Sequence, residues 1–227
     1  MKVSIHQPQY LPWLPYIQKI DQSDLFIFLD SVDYQKNGLQ NRNKIKASNG
    51  GQWLTVPVIA KLGQKIADSK IDNSQRWSKK HFSAIQQSYS KAEHFNHFSD
   101  IIADVYSKNW DNLAELNIFF IKQILKTINV STSIYRSSEL ECKGNSTTLI
   151  LNLCKKVGAT KYLTGHGAKN YLNFNEFENA NIEVEFFNPP PIIHYPQTFK
   201  NIGFIDGLSC IDILLNCGER WRDFLKA

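Results

Sequence analysis

A chain of 227 residues with 42% hydrophobic and 21% charged side chains can bury a core without disulfide staples, which excludes a long disordered polymer. Its 26 basic and 21 acidic side chains leave a net charge of +5, but the densest basic cluster, Arg42-Asn43-Lys44-Ile45-Lys46, is broken by neutral residues, so no direct nucleic-acid partner is expected. No apolar run approaches the roughly 20 residues of a bilayer span, and Cys142, Cys154, Cys210 and Cys217 form no Cys-x-x-Cys pair and follow no apolar leader; the expectation is a reduced, cytoplasmic protein without membrane insertion.

The predicted elements begin with a short apolar strand at Val3 to Ile5 and a helical stripe of Leu14, Ile17 and Ile20. A continuous apolar strand follows at Leu25 to Leu29, and Trp53 to Val58 reads as a third, rich in β-formers. Continuous apolar strands are those buried on both faces of a parallel sheet. The middle is helical: Trp77, His81, Ile85 and Tyr89 recur at spacing four, and Leu113, Leu116, Phe120, Ile124 and Ile128 at three and four. Alternation then resumes, with strands at Ser133 to Arg136, Lys161 to Leu163 and Ile182 to Phe187, and a helix from Ser146 to Val157. Asn188-Pro189-Pro190-Pro191 reads as an extended connector to a last helix, Ser209 to Asn216, stopped by Gly218. The expected fold is α/β: a mostly parallel, Rossmann-like sheet with flanking helices, one domain over residues 1–227, and a helical insertion at about 77–128. Its ligand crevice belongs at the carboxyl ends of the strands.

Several polar groups fall at those ends. Ile5-His6-Gln7-Pro8-Gln9-Tyr10 follows the first strand, and its proline fixes the turn, so His6, Gln7 and Tyr10 are candidates for a preorganised loop. The same His in a rigid βα turn serves equally well as a structural group. Asp30 ends the second strand, where a carboxylate can orient a hydroxyl, hold a magnesium ion or act as a base, and where a solvated turn Asp is as common. In Gln40-Asn41-Arg42-Asn43-Lys44, read as a loop, Arg42 can grip an anion bidentately while Lys44 adds a point charge. Gly165-His166-Gly167-Ala168-Lys169-Asn170 follows a strand and offers backbone amides to an anion, with Tyr171 beside it. Asn170 in place of a third Gly argues against nicotinamide binding, and the motifs single out no cofactor. His94 and His97 lack a third metal ligand, and no nucleophile elbow supports hydrolase chemistry.

In order along the chain, Ile5-His6-Gln7-Pro8-Gln9-Tyr10-Leu11-Pro12-Trp13-Leu14, Phe28-Leu29-Asp30, Gln40-Asn41-Arg42-Asn43, Trp53 to Val58, Tyr162-Leu163-Thr164-Gly165 and Leu208-Ser209 through Asp212 to Gly218 resemble the WbqC-like family of bacterial proteins. The resemblance spans nearly the whole chain and implies a role alongside O-antigen and other surface-polysaccharide genes. It implies a transferase that moves glycine or another acyl group to an amino sugar, with His6, Asp30 and Arg42 as first catalytic candidates. Two positions depart from the pattern: Pro15 stands where Gly is expected, and Asn173 where Asp is usual after Tyr171-Leu172.

The leading expectation is therefore a transferase acting on a small molecule such as a nucleotide-linked amino sugar, with His6 as general base and Arg42, Lys44 and the Gly165 loop holding the anionic part. The alternatives are a nucleotidyltransferase-like enzyme, which here lacks the second His of a His-x-Gly-His motif, and a non-catalytic binding protein of the polysaccharide machinery.

Overall fold

The computed structural model describes residues 1–226. Its centre is a sheet of five parallel strands: β1 (Lys2–His6), β2 (Leu25–Phe28), β7 (Ser133–Arg136), β8 (Lys161–Thr164) and β9 (Glu183–Phe186), in the order β7-β2-β1-β8-β9. Each strand is only four or five residues long. The central ones are almost wholly buried because both faces are covered.

Alternate side chains serve the two faces. Phe26 and Phe28 of β2 join a core with α1 (Leu14–Asp21), α2 (Trp77–Tyr89), α3 (Phe95–Ser107), α4 (Leu113–Thr127) and α7 (Cys210–Cys217). Val3, Ile5, Leu25, Ile27 and Tyr162 face the other way, onto α5 (Ser146–Lys156) and the short α6 (Phe174–Asn179). Pro15 lies in the first turn of α1, where the missing N–H has no intrahelical partner to lose. Asn173 takes the N-cap position of α6 with no side-chain capping bond, its amide donating instead to Glu176 Oε1, so Pro15 and Asn173 both fall at helix starts.

The expected parallel fold and the three helical stripes are present, but the third strand is different. Trp53 to Val58 does not enter the sheet: β4 (Gly50–Thr55) pairs antiparallel with β3 (Arg42–Ala47), forming a hairpin outside it. Its exposure alternates, Trp53 and Thr55 outward and Leu54 inward, the period of a half-buried strand. The stretch read as a hydrophilic loop, Arg42 to Lys44, is the first half of that hairpin. A smaller pair, β5 (Val58–Ile59) and β6 (Lys70–Ile71), follows. The excursion between β2 and β7 thus carries two antiparallel pairs as well as the helical segment expected at about 77–128, which forms three helices, α3 among them unmarked by any stripe.

Helix α7 ends where expected. Gly218 adopts φ 58°, ψ −135°, and a Cβ there would sit 2.5 Å from Nδ1 and 2.7 Å from Cγ of His94. Gly218→Ala is expected to cost about 2 kcal/mol or more, through backbone strain and displacement of the imidazole, read as a lower urea midpoint at unchanged slope.

Candidate functional site

In a parallel sheet the chain runs outward from its first strand and must later return to that strand's other side, which splays the loops at the switch point. Here the split lies between β1 and β8. The carboxyl ends of both strands open there into a cavity of about 380 Å³, lined by Ile5, His6, Tyr16, Lys19, Thr164 and the Gly165 to Ala168 backbone, with Trp13, Tyr171 and Pro189 at its rim. A second cavity of about 350 Å³ lies on the α5 side, and it shares Ile5, His6 and Tyr171 with the first. The two form one crevice straddling the end of β1.

His6 is the group on which both halves converge. Its Nδ1 lies 3.2 Å from the Gln7 carbonyl, and because a carbonyl only accepts, Nδ1 carries the proton and Nε2 keeps the lone pair. Burial, together with the nearby Lys19 charge, brings the imidazole down to about 3, against a smaller opposing effect of the Gln7 bond. His6 is thus a neutral base at physiological pH. Tyr16 steadies it, its ring edge-on at 5.0 Å and its hydroxyl donating to the Gln7 carbonyl at 3.1 Å.

Lys19 was missed by sequence reasoning. A Lys in the last turn of a short helix reads as a solvated cation complementing the helix dipole, yet this one is 5% exposed and burial alone lowers it to about 7. The available signal was its spacing: Pro15, Tyr16 and Lys19 recur at three and four, on a second face beside the Leu14, Ile17 and Ile20 stripe.

The other candidates divide. Gly165, His166, Gly167 and Tyr171 line the crevice as expected from their position, and the His166 ring stacks on Phe186 while its Nε2 lies 2.7 Å from Asn188 Oδ1. Gln7 lines the α5 side, its Oε1 accepting from Gln40 Nε2 at 2.9 Å.

Tyr10 is instead wholly buried, its hydroxyl bonded to His81 and Tyr106 and turned into the helical block. Gln40 and Asn41 are buried braces: Gln40 Oε1 accepts from the Gln35 amide, and Asn41 donates to the Val56 carbonyl. Arg42 and Lys44 lie over the exposed Trp53 ring, 4.6 and 5.2 Å from its centroid, and neither lines the crevice. They belong to the hairpin because a strand, not a loop, carries them.

Asp30 also has a different setting from the one expected. It is fully buried and accepts from Arg136 Nε at 2.8 Å, Ser137 Oγ at 3.0 Å, and Ser138 N and Oγ at 2.9 Å each. Both oxygens are occupied in tying the end of β2 to the segment after β7. Among the described residues, no group of three or more His, Cys, Asp or Glu side chains is placed to hold a metal ion, and no helix is long and apolar enough to cross a membrane.

The family model for WbqC-like proteins matches residues 7–223. The chain belongs to the WbqC-like family. An uncharacterized Mycobacterium tuberculosis protein, Rv1507c, is 35% identical to it over 228 residues, covering 99% of this chain and 97% of that protein. No solved structure gives a significant match. The matched span takes in β2, β7, β8 and β9, the hairpin and the helical block, while β1, which carries Ile5 and His6, lies just before it.

Two histidines, His81 in the core and His6 half-buried at the crevice, make the fold acid-sensitive. His81, 6% exposed, is lowered to about 4, chiefly by burial. Unfolded, it takes a proton near 6.5; folded, it resists until about 4, so its stabilising contribution is complete above 6.5 and is lost as the pH falls toward 4. That difference corresponds to about 3 kcal/mol, and His6 adds to it over the window from 6.5 toward 3. Urea unfolding at pH 7 and pH 4.5 is expected to show this loss, and His81→Gln to flatten it; equal stabilities at both values would contradict it.

Proposed function

We propose that the chain is a transferase that moves glycine or another small acyl group onto the amine of a nucleotide-linked amino sugar used in bacterial surface polysaccharide, O-antigen included. The observation that carries this reading is a neutral imidazole, His6, with a free Nε2 at the switch-point crevice. In the proposed step the neutral amine attacks the carbonyl of an activated acyl donor while Nε2 removes the amine proton. The new C–N bond forms, the bond to the leaving group breaks with its electron pair, and the imidazolium returns the proton to that group. The exposed Trp13 and Tyr171 rings supply flat apolar faces for a base or sugar.

Incubation with nucleotide-linked amino sugars and activated glycine or acetyl donors, followed by mass spectrometry, is expected to show a product heavier by the acyl group; an unmodified sugar under every donor would overturn the reading. Nucleotidyl transfer is the second reading, favoured by the strand order and by a His at the end of the first strand. Its mark is pyrophosphate release from ATP or CTP in the same reactions.

A further inference from the structure

We propose that Lys19 is the oxyanion receptor of the crevice, and that its amine takes up a proton as a phosphate or carboxylate of the ligand binds. This rests on the crevice being the substrate site of the reading above. The fold contains two buried lysines, and they differ in one respect. Lys46, 1% exposed, donates to Gln197 Oε1 at 3.1 Å and to the Gly203 carbonyl at 2.6 Å, with the Asp212 carboxylate nearby. Lys19 has no such answer: among the described residues its amine has no acidic partner and donates no hydrogen bond, and it opens onto the cavity beside His6. The Lys19 stem is buried while its amine reaches the cavity without a protein partner, so the missing partner has a place to arrive.

The lining selects its sign. Lys19 and His166 line the cavity beside the neutral His6, and among the described residues no Asp or Glu does. The titratable groups that face Lys19 are His6 of β1, Tyr16 of its own helix, and His166 and Tyr171 of the segment after β8; the Phe187 to Pro189 segment adds none. Burial holds Tyr16 well above its ordinary value, so it faces the site as a neutral hydroxyl. No existing negative charge competes for the amine. An arriving oxyanion reverses the penalty that keeps Lys19 near 7 and draws a proton from solvent, so binding and proton uptake are one event.

The test follows the 13Cε resonance of Lys19 in lysine-labelled protein, assigned with Lys19→Met, with pyrophosphate and glycine as separate probes for the phosphate and carboxylate sources. The resonance is expected to titrate near 7 in the free chain and to move up by about one unit or more with the anion that belongs there. Calorimetric affinity for that anion should weaken about tenfold per pH unit above 7, up to the raised bound value. Lys19→Arg is expected to bind with no inflection near 7. Lys19→Met is expected to lose binding while its melting temperature holds or rises, since an amine without a protein partner is gone. A Lys19 resonance indifferent to both anions, or Lys19→Met binding pyrophosphate as well as the parent, would overturn the proposal, as would a borohydride-reducible adduct with glyoxylate in place of anion-linked titration. Anion-linked titration in a chain that transfers nothing supports this inference and overturns the transfer reading alone.

Discussion

Replacing Asp30 by alanine is expected to destabilise the fold by about 3 kcal/mol, because Arg136 Nε and two serine hydroxyls lose the buried carboxylate they share, while Arg136 keeps its pairing with Glu115. For a chain of this length that is a fall in melting temperature on the order of 10 °C. The loss should appear before any effect on chemistry, since both Asp30 oxygens face Arg136, Ser137 and Ser138. Asp30→Asn keeps the shape and gives up the charge, so it is expected to fall between the parent and alanine. Thermal melts of the two variants check the order. If Asp30→Asn melts like the parent but abolishes transfer, the carboxylate acts in the reaction and its bracing role is secondary.

The second large effect is kinetic. His6→Ala is expected to reduce transfer by about 10²-fold, the lower end of what a positioned general base contributes, because burial makes this imidazole a weak one. Because burial keeps His6 neutral down to about 3, the kcat/KM profile should lack an inflection at the ordinary imidazole value, and the inflection near neutrality should belong to Lys19. Profiles of the parent and Lys19→Arg separate the two groups. An acid limb at 6.5 that survives Lys19→Arg and disappears with His6→Gln would mean that His6 titrates as an exposed imidazole.

The fold was legible wherever a strand or helix is decided by its own apolar period. The strands beginning near Val3 and Leu25 and the stripes of α2 and α4 pack as their spacing demands. The hairpin was not legible from Arg42 to Lys44, because its inward positions include Asn43, whose amide is satisfied by the Leu11 carbonyl at 2.6 Å, a partner far off in sequence. The reversal between β3 and β4 is the two-residue turn Ser48-Asn49, with Gly50 opening β4 at a positive φ of 122°. The crevice divided in the same way. His6 and the Gly165 loop follow strands, and strand ends are where a parallel sheet opens. Asp30 also follows a strand, but its role is decided by Arg136 and two serines 106 to 108 positions away. Lys19 was harder to read: its spacing from Pro15 and Tyr16 hints at a second face of α1, but only the packing of that face beside β1 and the segment after β8 removes its side chain from water.

The strand order also has a consequence for how the chain is made. β1 pairs with β2 across one short helix, but its other edge is satisfied only by β8, with Val3 opposite Tyr162. During synthesis the first strand therefore leaves the ribosome with half of its ladder open, and it stays open until the last third of the chain has been translated. Nascent fragments that stop before residue 161 lack the strand that fills the second edge of β1 and so leave an apolar edge unpaired.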